Sequence, residues 1–401
     1  MSTDLLREHA IELLKNNDQG AFTVPSQRLY PHQWAWDSAF AAMGWSHFNT
    51  DRAWVELETL FATAWPDGRI PHIYFHNPDA RYFPCPAIWK DYSSTSVTQP
   101  PMWSTALRML FSRDPNRERL LPLLSKLDAS LCFFSEQRDP CGLGAIAVAH
   151  PWESGLDNSP AWDAALERID ISEVPSFNRV DNTVVTEAEQ RPDDTTYKRY
   201  LALVQEIADN GFGRGSFSVY DPFMTSVVIR AEDDLAWLAK QCDFRSEALL
   251  RAKRIREGLE QHLWHPDKER YCYKDAFDLK FIESDTIGCY MPLWCGVKKE
   301  REDALREGLR SRFTTPYPYP STSPTDAKFE PRRYWRGPTW INTNWMLNDA
   351  VDIDLAELSL ALVENSGFYE YFEAQTGEGL GAESFTWTAA LVLEFLAQKN
   401  G

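Results

Sequence analysis

The chain has 401 residues, long for one domain but ordinary for a barrel or toroid built from repeated elements. Its 41 basic and 59 acidic residues leave a formal charge of −18, which argues against a nucleic-acid partner or an anionic membrane surface and suits a neutral or locally recognised small ligand. Hydrophobic residues make up 43%, enough for a sizeable core, and no apolar run approaches membrane-spanning length.

Taken in order, the chain is dominated by helical periodicity. Thr3 is placed to cap a first helix whose Leu6, Ala10, Leu13 and Leu14 share a face and which Asn16-Asn17 ends. A second helix is predicted over 36–48, and a third, capped by Asp51, carries Trp54, Leu57, Leu60 and Phe61. Pro100-Pro101 opens a fourth, and a fifth covers 117–136 with Pro122 in its first turn. Further helices fit 193–208, 223–240, 244–264, 285–295, 299–312, 339–348, 355–365 and 382–398. Strand signals are confined to 214–220 and 270–273. Helices at this antiparallel spacing predict an all-α fold, a closed ring of hairpins, and without any linker or composition shift residues 1–401 read as one domain. Loops 66–99, 172–192 and 314–338 are too long to be simple connectors and are expected to carry function.

Sixteen tryptophans and fifteen tyrosines exceed what such a core needs, and the surplus in Pro- and Gly-rich loops reads as a ligand-contacting surface. Seven cysteines form no CxxC pair, and no hydrophobic leader stands in 1–15, so a reduced cytoplasmic protein is expected. His72 and His76 are four apart, but Pro71 and the β-branched, aromatic run between them argue against a ligand-bearing helix; no metal or cofactor is called for.

Two stretches carry the chemistry. Residues 152–163, WESGLDNSPAWD, place Glu153 and Asp157 around a Ser-Gly pair and a tight turn beside tryptophan, where a carboxyl group can be desolvated and held protonated as a general acid. Residues 368–388, FYEYFEAQTGEGLGAESFTWT, set Glu370 between tyrosines ahead of a Gly-rich loop. Glycosidic hydrolysis uses two such carboxylates. Polar groups mixed with aromatics also recur at predicted helix starts: Gln33, Trp34, Trp36 and Asp37 in PHQWAWDSAF, Gln99 in TQPPMW, and Tyr334, Trp335, Arg336 and Trp340 in YWRGPTWINTNW.

The succession WAWDSAF, GRIPH, TQPP, ESGLDNSP, DPFMTSVVIRAEDDLAWLA, YWRGPTWINTNWML and YEYFEAQTG with FTWTAAL resembles glycoside hydrolase family 63, and its short bacterial mannosylglycerate and glucosylglycerate hydrolases in particular. The resemblance spans nearly the whole chain. It implies an (α/α)6 barrel with catalytic loops at one mouth and an inverting α-glycosidase that acts on a small sugar substrate. It implies Asp157 as general acid and Glu370 as general base, with Glu383 in reserve for the base. Trp36, Asp37 and Gln99 match positions that hold the sugar, Tyr334, Trp335 and Trp340 match an aromatic wall, and Tyr30, Tyr82 and Arg179 fall on the leaving-group side.

An inverting pair leaves room for water, roughly 6.5 to 9.5 Å between carboxyl groups. Asp157 is expected to be raised by burial against tryptophan, and Glu370 to be kept low by hydrogen bonds to a solvated site. An anionic aglycone such as glycerate calls for a local cation, for which Arg179 and Arg336 are the candidates. A trehalase-like or oligosaccharide α-glucosidase activity on the same barrel stays open; Glu370 argues against a phosphorylase, and both carboxylates at motif positions count against the alternative of a carbohydrate-binding toroid without catalysis.

Overall fold

The computed structural model describes residues 3–79, 86–89, 93–179, 181–185, 187–211 and 215–400. Its helices are α1 (Thr3–Asn16), α2 (Ala35–Trp45), α3 (Thr50–Ala62), α4 (Met102–Arg113), α5 (Arg117–Gln137), α6 (Asp194–Asp209), α7 (Pro222–Gln241), α8 (Ala248–Gly258), α9 (Pro292–Cys295), α10 (Lys299–Arg312), α11 (Ile341–Leu347), α12 (Leu355–Ser366) and α13 (Thr386–Asn400), with shorter turns between them. Packing sorts twelve of these into two rings. α2, α4, α7, α9, α11 and α13 contact one another in sequence, and α13 returns to α2. α1, α3, α5, α8, α10 and α12 alternate with them along the chain, which makes six outer-to-inner hairpins. The result is the expected (α/α)6 barrel, to which α6 is an addition.

Sequence composition assigns each helix to its ring. α1 carries one apolar stripe, Leu6, Ala10, Leu13 and Leu14, whereas every residue of α2, AWDSAFAAMGW, is buried. A helix hydrophobic all round must be enclosed by others. Small residues allow that enclosure at the seam where the ring closes: a Cβ on Gly44 of α2 would lie 2.7 Å from Cβ of Ala390 on α13. No described helix is long and apolar enough to cross a membrane.

Several local expectations are corrected. Helix α3 is capped by Asn49, whose side chain accepts the Arg52 N–H, and not by Asp51. Pro122 sits in the second turn of α5, where the carbonyl it leaves unpaired belongs to exposed Glu118 and can take water. The helix expected over 285–295 is two short turns, Ile287–Cys289 and Pro292–Cys295, because Pro292 has no N–H to bond the Gly288 carbonyl four residues back. The stretch 244–264 ends in a π turn, Leu259–Leu263, and the start of 382–398 is strand up to Glu383. Of the two predicted strands, Val219–Tyr220 alone among the described residues of the first forms strand, and the second divides into Arg270–Tyr271 and Tyr273–Asp275. A four-stranded antiparallel sheet joins Ala147–Val148, Val219–Tyr220, Tyr273–Asp275 and Phe281–Ile282 in that order.

Replacing Gly44 by valine is expected to lower stability by about 1–3 kcal/mol, the usual cost of overpacking a tight core. Chemical denaturation monitored by tryptophan fluorescence reads this as a lower midpoint with an unchanged slope.

Candidate active site

One cavity opens where the N-terminal ends of α2 and α13 meet the long loops. It encloses about 820 Å³ of space, including open solvent. Its wall is aromatic: Tyr30, Trp34, Trp36, Trp152, Tyr197, Tyr334, Trp335, Phe385 and Trp387. Into it face four carboxyl groups, Asp37, Asp157, Asp181 and Glu370, and among the described lining residues Arg191 carries the only full positive charge.

The WESGLDNSP segment separates the work of its two acids. Glu153 is fully buried, accepts from Arg138 Nε (2.9 Å) and the Ala149 N–H (2.7 Å), and burial is outweighed by Arg138 so that it stays below the usual carboxylate range. It anchors the turn. Gly155 is left-handed (φ +68°), and a Cβ there would fall 2.7 Å from the Trp36 ring, so the Ser-Gly pair is where this cavity-lining tryptophan packs. Asp157 then projects into the cavity and Asn158 takes the left-handed turn position (φ 67°) that asparagine tolerates. Burial raises Asp157 to about 7, Arg191 opposing and Glu370 adding to the rise. Buried Asp37 is likewise pushed well above its ordinary value, by burial first and Glu370 second.

Glu370 lies in the strand Tyr369–Phe372, paired antiparallel with Gly379–Glu383. Its Oε1 accepts from Tyr30 OH (2.8 Å) and its Oε2 from the Ala382 N–H (3.0 Å). Arg191 Nη1 donates to the Tyr30 hydroxyl oxygen (3.0 Å) and stands 3.7 Å from Glu370. The expected low pKa is not observed: Glu370 is buried, not solvated, and burial raises it despite Arg191, the Ala382 N–H, Tyr30 and Tyr334. Gly381 is required beside it, since a Cβ would meet Glu370 Oε2 at 2.5 Å and its φ is +71°.

The other expected residues divide by position. Gln99 Oε1 accepts the Trp36 N–H (3.1 Å) and so fixes the start of α2 from the neighbouring loop. Trp335 lines the cavity, stacked at 3.8 Å on Trp340, which stacks on Tyr371 behind it; Trp340 is thus the second layer of the wall. Tyr334 is held at φ 39°, a costly conformation for a bulky residue, by edge contacts with Trp340 and Tyr371.

Three expectations place a residue where it is not. Glu383 is exposed, accepts from Tyr369 OH (3.0 Å) and lines a separate groove beside α1, because the bulge between Leu380 and Glu383 turns it away from Glu370. Arg336 is paired with Asp163 (2.9 Å) and Glu330 (2.9 Å) outside the cavity. Arg179 braces Asp181 (2.7 Å) and Asp194 (3.0 Å) and does not reach the lining. Tyr82 lies outside the described residues. Arg191, Asp181, Tyr197 and Trp387 also line the cavity, and none was expected to; the length of loop 172–192 pointed to the region of the first two and FTWTAAL contains Trp387, but neither signal gave a residue its role. His72 also lines it, stacked on Trp152, and burial lowers it to about 3, so the ring is neutral. No cluster of three or more potential metal ligands stands among the described residues.

Residues 30–388 match the mannosylglycerate hydrolase MGH1-like glycoside hydrolase domain. The chain belongs to this glycoside hydrolase family. It is 39% identical to a mannosylglycerate hydrolase of Thermus thermophilus, over 96% of this chain and 99% of that protein. It is 33% identical to a glucosylglycerate hydrolase of Mycolicibacterium hassiacum, over 98% and 97%. Its fold superposes on the family 63 mannosylglycerate hydrolase from a second Thermus thermophilus strain, solved with Tris and D-glycerate, with a TM-score of 0.93 at 38% identity, over 98% of this chain and 100% of that one. A yeast neutral trehalase, at 15% identity and TM-score 0.59 over 94% of this chain and 73% of that one, shares the fold alone. The protein is therefore a glycoside hydrolase on an (α/α)6 barrel.

For this hydrolase the raised pKa of Asp157 carries a stability signature. An acid whose folded pKa lies above its unfolded one opposes folding, fully above the folded value near 7 and not at all below the ordinary aspartate value of about 3.9. Asp157→Asn is expected to melt above the wild type at pH 8, with the gain fading as pH falls towards 4. Thermal melts across that range check it.

Proposed function

We propose that this glycoside hydrolase cleaves a small α-mannoside or α-glucoside linked to glycerate, with inversion, and that one cytoplasmic catalytic unit does so. Asp157 donates its proton to the glycosidic oxygen. Glu370, ionised, takes a proton from water on the opposite face of the sugar ring. The observation that carries the assignment is the asymmetry of donors in one cavity. Tyr30 OH and the Ala382 N–H bond to Glu370 and Arg191 stands beside it, which favours its ionised form, while Asp157 is raised to about 7. Asp37 and the Trp36, Trp335 and Trp387 faces supply hydroxyl-binding and stacking partners for the sugar.

For the glycerate carboxylate, Arg191 replaces the two arginines expected from sequence, since it alone brings a full positive charge to the cavity lining described. Similarity to enzymes named for both mannosylglycerate and glucosylglycerate supports the aglycone more strongly than the sugar. The six described cysteines are free thiols, which agrees with a reduced compartment, and the acidic chain with no nucleic-acid partner. A cavity built from residues between 25 and 387 agrees with one domain.

The test is a proton NMR time course with mannosylglycerate, glucosylglycerate and trehalose. The β-anomer of the sugar is expected to appear first from a glycerate-linked substrate, and first appearance of the α-anomer excludes inversion. Asp157→Asn and Glu370→Gln are each expected to lower kcat by about 10²–10⁴-fold. Activity falls on the alkaline side as Asp157 loses its proton near pH 7, and on the acid side as Glu370 gains one. An alkaline limb that persists in Asp157→Glu at an unchanged pH counts against the assignment of the acid.

A further inference from the structure

Outside the cavity, one guanidinium collects three carboxylates from two separate loops. Arg332 Nε is 2.6 Å from Glu189, Nη2 is 2.6 Å from Glu187, and Nη1 is 2.6 Å from Glu378. Glu187 and Glu189 stand just before Arg191, and Glu378 stands at the turn of the hairpin that carries Glu370. Between them Gln190 is stitched to the same hairpin: its carbonyl accepts from Tyr371 OH (2.8 Å), and its side-chain oxygen accepts the Gly381 N–H (3.0 Å). Arg333, next in sequence, donates to the Arg191 carbonyl (3.0 Å).

We infer that Arg332 is a positioning residue: it clamps segment 187–191 onto the Glu370 hairpin and so sets where the Arg191 guanidinium stands relative to the substrate and to Glu370. It does not line the cavity and touches no reacting group. A lone exposed ion pair contributes little. Here, however, removing the one cation leaves three carboxylates facing each other across the junction, so attraction becomes repulsion between the two loops. The displaced element is the one that ends in Arg191.

The inference rests on the reading of Arg191 as the cation for an anionic aglycone. Arg332→Gln is expected to raise KM about tenfold on the glycerate-linked substrate and much less on p-nitrophenyl α-mannoside or α-glucoside, which carry no carboxylate. Glu370 is faced by Arg191, Tyr30, Tyr334, Asp37 and Asp157; of these only Arg191 lowers its pKa by charge, so the acid limb of kcat/KM moves to higher pH in the variant. Arg332→Lys restores part of the effect, and so does Arg332→Gln combined with Glu378→Gln, which removes one of the repelling charges. Amide hydrogen exchange reads the clamp without substrate: faster exchange confined to 187–191 and 369–383 is expected in Arg332→Gln. Wild-type KM ratios, an unmoved acid limb and unchanged exchange in a folded Arg332→Gln overturn the inference. Lack of wild-type activity on the glycerate-linked substrates, with the exchange difference present, instead overturns the substrate reading and leaves the clamp.

Discussion

Four carboxyl groups face one aromatic-walled cavity with a single guanidinium among its described lining, and the rest of the site is arranged around that imbalance. Charge taken out of water is costly unless paired, so the four cannot all be ionised. Arg191 resolves part of it by standing 3.7 Å from Glu370 and 3.3 Å from Asp181, with Tyr30 bridging to Glu370. What remains shows as raised pKa values at Asp37, Asp157 and Glu370 itself. The proposed division between acid and base therefore rests on Arg191, Tyr30 and the Ala382 N–H favouring the ionised form of Glu370.

The barrel makes such crowding tolerable. Its inner helix α2 is buried on all sides, and small residues such as Gly44 and Ala390 let α2 and α13 approach closely enough to close the ring. A rigid ring holds its helix starts in place, so Gln99 can fix Trp36, and Trp36 can pack on Gly155 a few residues before Asp157. The aromatic wall is layered for the same reason: Trp335 faces the cavity because Trp340 and Tyr371 support it from behind. The shape of the cavity therefore depends also on residues that do not line it, Trp340, Tyr371 and Gly44 among them.

Much of this was legible in the sequence, for reasons that are local. Helical stripes, Pro-opened helices and the all-buried run of α2 announce an all-α ring, since periodicity reports burial directly. The motif WESGLDNSP announces Asp157, because a Gly required by a ring contact and an Asn in a left-handed turn leave a visible pattern. Expectations failed where a side chain's direction and partner, rather than its neighbours in sequence, decide its place. Glu383 and Glu370 look equivalent as sequence, and only the bulge in their shared hairpin turns one outward. Arg179, Arg191 and Arg336 are equally plausible cations until their partners Asp194, Tyr30 and Asp163 are known.

By itself, then, the sequence determined the helical ring, the family and the two carboxylates proposed for catalysis, because helix periodicity and turn chemistry are encoded within a few residues of one another. Tertiary structure alone decided that Glu370 is buried and raised, that Arg191 is the cation of the described cavity lining, and that Glu153 anchors the turn before Asp157 through Arg138. Those outcomes depend on desolvation and on charges brought together from distant segments, and neither quantity exists until the chain has folded.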